Sequence, residues 1–229
     1  MDFKDRTVVV TGGTGALGTA VVGGLIEAGA RCRVPYVHDS EAQRFPYRDQ
    51  ADMVPVKSLA DDADVTRLYA DLSKLWASIH IAGGFAAGAV AATDKAALVA
   101  MLDSNLVSCF LCCRAAVKVM AGKGGRIVNV ASRQALEWRS GAGLSAYTVS
   151  KAGVAALTTT LAEEVAKDGI LVNAVAPSIM DTPANRAAMP KADFSAWPKV
   201  EEVAATIVFL ASPDNRVTRG GIIPVYGKS

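Results

Sequence analysis

The feature that most constrains this chain is a short β-branched run that leads directly into a glycine-rich turn and a helix. Residues 6–11 have no polar face, which is typical of a strand buried on both sides of a parallel sheet. The turn is GGTGALG, residues 12–18, and a helical stretch follows until Gly29. Glycines allow close backbone approach to a pyrophosphate, and a helix N-terminus offers unpaired N–H groups. This order predicts a dinucleotide site, since a merely flexible turn does not need glycines in this register.

Length and charge restrict the remaining possibilities. The 229 residues suffice for one sizeable α/β domain, and 51% hydrophobic content indicates a large buried core. The 24 basic and 22 acidic residues are scattered, so charge gives no reason to expect nucleic acid or an anionic membrane as partner. The charged first six residues and the short apolar run after them predict neither a signal peptide nor a membrane span. We expect a cytoplasmic protein.

Three of the four cysteines, Cys109, Cys112 and Cys113, lie in one apolar segment. A Cys-x-x-Cys spacing can indicate metal or redox chemistry, but no second Cys or His pair completes a zinc set, and His80 is distant in sequence. We therefore interpret the cysteines as small core residues of a helix, interpret His80 as a packed strand residue, and expect no metal. Reduced thiols fit the cytoplasm.

Strand and helix patterns alternate along the whole chain. Further strands are predicted at 31–36, 53–56, 75–84, 125–132, 170–176 and 221–226, and further helices at 61–74, 93–122, 145–167 and 200–211. Pro224 places the last strand at or near an edge. Residues 177–199 are proline-bearing and irregular, and a loop of this length is usually functional, so we expect a substrate lid. The pattern predicts α/β architecture in a single domain, 1–229: a Rossmann-like doubly wound parallel sheet with helices on both faces.

Tyr147 and Lys151 stand four residues apart, which on a helix puts them on one face. A free tyrosine has a pKa of about 10, and a neighbouring positive charge favours the phenolate. We therefore expect Lys151 to lower the pKa of Tyr147 and make it useful for acid–base chemistry. The pair alone is equally compatible with surface packing. Ser132 follows the fifth predicted strand, and Asn105 stands in an apolar helical region, either as a kink anchor or as part of a polar site.

These features together resemble the short-chain dehydrogenase/reductase family over essentially the whole chain. The matching motifs are Thr11-Gly12…Gly15…Gly18, Ala82-Gly83, Asn105, and Ser132…Tyr147-x-x-x-Lys151. The resemblance implies that the cofactor supplies the hydride while the protein supplies position and a proton.

The resemblance implies a role for each catalytic residue. Tyr147 would exchange a proton with the carbonyl or hydroxyl oxygen, and Ser132 would hold that oxygen by a hydrogen bond. Lys151 would lower the pKa of the phenol and bind the nicotinamide ribose. Asn105 would hold a water that links Lys151 to solvent.

The resemblance also implies a set of cofactor-binding residues. They are Gly12, Thr14, Gly15, Ala16, Leu17, Gly18, Tyr36, Ser58, Leu59, Ala82, Gly83, Gly84, Tyr147, Lys151, Pro177, Ser178, Ile179 and Thr182. The end of the second strand normally carries an acid for NAD or a base for NADP. Here that place holds Tyr36 or Val37, and Asp39 comes slightly late. Arg31, Arg33, His38 and Arg44 lie around it, so the choice of coenzyme stays open with a slight lean to NADP(H).

Some positions depart from the family pattern. His80-Ile81 replaces the usual Asn-Asn, Ser58 stands where an acid is common, and the interval from Ser132 to Tyr147 is longer than usual. Residues 181–197 and 82–85 resemble the dihydropteridine reductase branch, whose members reduce a quinonoid pterin. An aromatic wall such as Phe85 or Trp138 would suit that planar ring. The alternative is that the lid is shared by ancestry while the substrate differs.

We therefore expect an NAD(P)-dependent oxidoreductase that transfers a hydride between nicotinamide and a small carbonyl or alcohol substrate, with reduction of a pterin-like compound as the narrower alternative. An alternative of another class is a non-catalytic NAD(P)-binding sensor or scaffold, for which an activated phenol has no use. The resemblance also implies a homodimer or homotetramer built on the helices 93–122 and 145–167.

Overall fold

Seven parallel strands form one sheet in this computed structural model, which describes residues 1–229. The strands are β1 (Thr7–Thr11), β2 (Arg31–Tyr36), β3 (Asp52–Pro55), β4 (Leu75–His80), β5 (Gly125–Val130), β6 (Ile170–Pro177) and β7 (Ile222–Val225). Their order is β3-β2-β1-β4-β5-β6-β7. The strand order reverses between β1 and β4, and open α/β sheets bind ligands at the carboxyl edge of such a switch point.

Nine α-helices connect and cover the strands. They are α1 (Ala16–Glu27), α2 (Asp39–Arg44), α3 (Asp62–Tyr69), α4 (Lys95–Leu102), α5 (Ser108–Met120), α6 (Arg133–Leu136), α7 (Ser145–Glu164), α8 (Pro183–Ala188) and α9 (Val200–Ala211). Leu25 of α1 and Ile207 of α9 belong to one apolar core, whereas Leu68, Met120 and Leu161 of α3, α5 and α7 belong to another. The sheet therefore carries helices on both faces, which confirms the predicted fold class.

The predicted helix over 93–122 is wrong in one respect, because a single π-helical turn, Asp103–Val107, separates α4 from α5. The buried side chain of Asn105 lies in this turn and bonds outside the helix. Single π turns of this kind are frequent at functional sites. The stretch Lys95–Met120 has the length and hydropathy of a membrane-spanning segment, yet α5 buries Cys112, Ala116 and Met120 in the core.

The predicted fourth strand is too long at its carboxyl end. β4 ends at His80, and after the hydrogen bond from Ile81 N to Thr11 O the chain leaves the sheet. Residues 81–84 lie in the loop that leads toward α4. In this loop the N–H and C=O groups of Gly84 form hydrogen bonds with the side-chain amide of Asn105 instead of with a neighbouring strand. Gly83 and Gly84, predicted to bind the cofactor, therefore lie beyond the strand, at the switch point.

Two segments without a regular sequence pattern are ordered in the structure. Residues 177–199, predicted to form a lid, contain α8, which begins at an N-cap Thr182 whose hydroxyl accepts a hydrogen bond from Asn185 N, with Pro183 in the first turn. The stretch after Ser132 contains α6 and a 3₁₀ turn, Trp138–Gly141. Helices this short leave little periodicity to recognise in a sequence. β7 lies at the edge of the sheet, as Pro224 predicts.

Candidate active site

The carboxyl edge of the central strands brings Ser132, Tyr147 and Lys151 to one place. Ser132 directly follows β5, and Tyr147 and Lys151 lie one turn apart at the start of α7. Ser132 is only 3% exposed, and its Oγ has no hydrogen-bond partner within the protein. A buried hydroxyl left unpaired costs free energy, and such a group marks a place where a ligand oxygen can bind.

The pKa of Tyr147 is shifted in the direction opposite to the one predicted from the sequence. Burial raises the pKa of Tyr147 above its ordinary value, and the Ser132 hydroxyl beside it opposes this rise. The predicted lowering by Lys151 is wrong for this structure, because burial outweighs the other influences and Lys151 Nζ donates instead to the Val130 carbonyl at 2.8 Å. Tyr147 is therefore protonated at neutral pH, the form that a proton donor needs.

The ammonium group of Lys151 is buried beneath the loop that follows β4. Burial lowers the pKa of Lys151 to about 8, against a smaller opposing effect of Cys109. A Cβ atom placed on Gly83 would lie 3.4 Å from Lys151 Nζ and would collide with Asn105 Oδ1. Glycine at this position is therefore required for the close packing of the loop against Lys151.

Asn105 connects the loop after β4 to α7. Its Oδ1 accepts from Gly84 N at 3.1 Å, and its Nδ2 donates to Gly84 O at 3.0 Å and to Ser150 Oγ at 3.1 Å. Ser150 Oγ in turn donates to Tyr147 O at 2.7 Å. Asn105 is thus both an irregularity in a helix and part of a polar site, and its role in holding a water stays a prediction.

A cleft of about 500 Å³ lies beside the glycine-rich turn. Of the predicted cofactor-binding residues it is lined by Gly12, Thr14, Gly15, Ala16, Leu17, Gly18, Tyr36, Leu59, Ala82, Gly83 and Thr182. A neighbouring cleft of about 340 Å³ is lined by Ser58, Leu59, Ala82, Gly83 and Gly84. The structure therefore gathers most of the residues predicted from distant parts of the chain.

The turn itself fits a dinucleotide pyrophosphate. Gly12 has a φ of +67°, and a Cβ there would lie 2.6 Å from Ala82 N, while a Cβ on Gly18 would collide with the Gly12 carbonyl. The N-cap of α1 is Gly15, which provides no capping side chain. The first N–H groups of α1 therefore remain available for an anion at the helix N-terminus.

Five predicted cofactor residues line neither cleft: Tyr147 and Lys151 at the start of α7, and Pro177, Ser178 and Ile179 near the end of β6. Pro177 is the last residue of β6, Ser178 Oγ donates to Tyr226 O at 2.9 Å, and Ile179 is exposed. Pro177, Ser178 and Ile179 thus lie at or just after the carboxyl end of β6, and their contact with a cofactor stays a prediction.

Ser58, which lines the smaller cleft, lies in a loop held by Asp64. The Oδ2 of Asp64 accepts hydrogen bonds from Lys57 N at 2.7 Å and from Ser58 N at 2.8 Å.

Sequence reasoning missed several residues that line the larger cleft. These are Pro35, Glu41, Val56, Ile81, Met180 and Asn185. Val37, considered with Tyr36 from the sequence, also lines it. Glu41 lies in the first turn of α2, which has only six residues and no predicted pattern. Arg33, which the sequence places nearby, is engaged elsewhere: its guanidinium binds Asp52 at 2.6 Å and Asp71 at 2.5 Å.

Of the two aromatic residues considered for a substrate wall, Phe85 packs against the phenol ring of Tyr147. Its ring lies edge-on to Tyr147 with the ring centroids 5.0 Å apart. Trp138 lies in the 3₁₀ turn after α6, where its Nε1 donates to Ala135 O at 3.0 Å and its ring is exposed.

His80 is packed in the core, as predicted for a strand residue, but it also meets the cysteines. Its Nδ1 lies 2.8 Å from Asn129 Oδ1 and 3.5 Å from Cys113 Sγ, and its Nε2 lies 2.8 Å from Ser78 Oγ. Cys109 joins this cluster, with all ligand-type atoms within 4.8 Å. Because both ring nitrogens have protein partners, the cluster is explained as a buried polar network, and all four cysteines are free thiols.

Comparison with known proteins agrees with this geometry. The model of the short-chain dehydrogenase family matches residues 6–193. The chain belongs to the short-chain dehydrogenase family. It is an oxidoreductase, and members of this family use NAD(P)(H).

Several relatives cover nearly the whole chain. A galactitol 2-dehydrogenase of Rhizobium johnstonii is 35% identical over 95% of this chain and 92% of its own. A 3β-hydroxysteroid dehydrogenase of Mediterraneibacter gnavus is 32% identical over 98% of this chain and 95% of its own. The solved short-chain dehydrogenase/reductase of Mycobacterium ulcerans superposes with a TM-score of 0.88 at 25% identity, covering 100% of this chain and 90% of that one. None of these three is named for a pterin, and the resemblance to the dihydropteridine reductase branch stays a prediction.

Proposed function

We propose that this short-chain dehydrogenase reduces a small ketone, or oxidises the corresponding secondary alcohol, with Tyr147 as the proton-transfer residue. The proposal rests on three groups that lie close together beside the larger cleft. They are the protonated phenol of Tyr147, the unpaired buried hydroxyl of Ser132 and the buried ammonium of Lys151. The sugar-alcohol and steroid dehydrogenases among its relatives are named for alcohol substrates, which is consistent with this class.

The residues divide the chemistry among them. A nicotinamide dinucleotide, when bound, supplies or accepts the hydride. The Oη of Tyr147 donates its proton to the carbonyl oxygen during reduction, and the Oγ of Ser132 donates a hydrogen bond to the same oxygen. Lys151 Nζ is fixed by the Val130 carbonyl and keeps two further N–H groups, which would hold the nicotinamide ribose.

NAD(H) is the coenzyme that the charges favour, in contrast to the lean toward NADP(H) drawn from the sequence. Glu41 is the charged residue that lines the larger cleft, where Tyr36 and Val37 also lie. Its carboxylate can accept a hydrogen bond from a ribose hydroxyl and repels a 2′-phosphate. Arg33 is paired with Asp52 and Asp71, Arg44 donates to Ser40 O, and neither arginine lines this cleft.

The coenzyme proposal is tested by the substitution Glu41→Gln. We expect the wild type to bind NADH more tightly than NADPH, and the variant to gain about fivefold in NADPH affinity because one repulsive charge is removed. Asp39→Asn, on the same helix but outside the cleft, is the matched control. Calorimetric titration measures both constants. Tighter binding of NADPH by the wild type would contradict the assignment.

The broader proposal is tested by turnover. Purified protein is mixed with NADH and a panel of ketones, with a quinonoid dihydropterin included, and loss of NADH absorbance is followed. We expect oxidation of NADH with at least one ketone. Tight binding of NADH without turnover on any compound would instead support the non-catalytic sensor or scaffold.

A further inference from the structure

The loop that carries Phe85 is fixed at both ends. On one side, Gly84 exchanges two hydrogen bonds with the side chain of Asn105, at 3.1 and 3.0 Å. On the other, Gly88 N donates to Gly143 O at 2.9 Å, and Gly88 forms an isolated parallel bridge with Leu144. Only the apolar residues Phe85, Ala86 and Ala87 lie between these anchors. This loop segment, residues 85–87, is therefore a preformed apolar rim next to α7.

Phe85 is exposed although it touches the catalytic phenol. Its side chain is 65% exposed. Its ring packs edge-on against the ring of Tyr147, with the ring centroids 5.0 Å apart and the ring planes at 74°. An exposed phenylalanine far from any site needs no explanation, but one held in contact with a proton donor presents apolar surface where a substrate must approach. The contact with Tyr147 covers only part of the ring and leaves the rest for a ligand.

We propose that Phe85 is a specificity-determining residue that binds a planar apolar ring attached to the reacting carbonyl carbon. The inference rests on the proposed function, because the position of the carbonyl is set by Tyr147 and Ser132. Aromatic rings in edge-to-face or offset contact gain about 0.5–1.5 kcal/mol beyond their area burial, which an aliphatic ring of similar size does not. The substrate class is therefore an aryl ketone or its secondary alcohol.

Binding to the NAD⁺ complex tests this assignment without turnover, because a ketone cannot be reduced by the oxidised coenzyme. The probes are phenyl methyl ketone and cyclohexyl methyl ketone, which present the same carbonyl and methyl groups on a planar and a non-planar ring. We expect the wild type to prefer the phenyl compound by about 3- to 10-fold, measured by calorimetry. We expect Phe85→Ala and Phe85→Leu to abolish the preference while NAD⁺ affinity stays unchanged.

Phe209→Ala is the matched control, because Phe209 is also partly exposed but lies on α9. This variant should keep the wild-type preference. Equal binding of the two ketones by the wild type, or a preference that survives in both Phe85 variants, would overturn the assignment. Failure of the proposed function gives a different result: no NADH-dependent turnover of any ketone, whatever the ring preference in the NAD⁺ complex.

Discussion

At the scale of single residues, burial shifts the pKa values of Tyr147 and Lys151. It raises the pKa of Tyr147 and lowers that of Lys151 to about 8, so the phenol stays protonated while the ammonium approaches neutrality within a physiological range. The sequence alone predicts the identity of both residues from their spacing. It does not predict the direction of the shift in Tyr147, because the phenol packs against Phe85 and Lys151 Nζ bonds to the Val130 carbonyl, and both partners lie far away in the chain.

The lowered pKa of Lys151 predicts a pH dependence. Because Lys151 loses its proton as the pH rises through about 8, kcat/KM for NADH should fall above that pH. This parameter reports the groups of the free enzyme. Arginine keeps its charge to a much higher pH, so Lys151→Arg should move the fall upward in any variant that retains activity.

The pH profile of kcat/KM, measured in both proteins under matched ionic strength, checks this assignment. An alkaline limb at the same pH in wild type and Lys151→Arg would assign the ionisation to another group.

At the scale of elements, the site depends on the junction of the π turn, the loop after β4 and the start of α7. A continuous apolar helix over 93–122 is the natural prediction from hydrophobicity. The polar residue Asn105 is the sign in the sequence that this helix is irregular. The π turn forms because the amide of Asn105 has partners on Gly84 and Ser150, which only the folded chain brings near. The short helices α2, α6 and α8 escape prediction for a related reason, since helices this short depend on tertiary contacts, and of the three only α8 begins at a side-chain N-cap.

Loss of the Asn105 amide should loosen this junction. Asn105→Ala leaves the half-buried N–H and C=O groups of Gly84 without their side-chain partner, so we expect the free energy of unfolding to fall by about 1–3 kcal/mol. Urea denaturation measures the change. Asn185→Ala in α8, where the side-chain amide makes one bond to Met180 O, is the control and should cost less. Equal stability of Asn105→Ala and wild type would contradict this role of the Asn105 amide.

At the scale of the whole molecule, the parallel sheet and both helix layers follow from the sequence pattern, whereas the assembly does not. Apolar side chains remain exposed on α4, α5 and α7, among them Leu98, Val99, Phe110 and Val149. Contiguous exposed apolar surface is typical of an interface between proteins. Assembly as a homodimer or homotetramer through these helices stays a prediction, as does the cytoplasmic location.

Sedimentation velocity tests the assembly. We expect the wild type to sediment as a dimer or tetramer, and Phe110→Glu to shift it toward monomer because a charge would be buried in the interface. Val217→Glu changes an exposed apolar residue outside these helices and should leave the species unchanged. A monomeric wild type at micromolar concentration would contradict the prediction.

The central claim is that Tyr147 transfers the proton, and one comparison tests it most directly. Tyr147→Phe removes the hydroxyl while keeping the ring that packs against Phe85. With any ketone that the wild type reduces, we predict that kcat falls by about 100- to 10,000-fold while the Kd for NADH changes far less. Wild-type turnover in Tyr147→Phe would contradict the account.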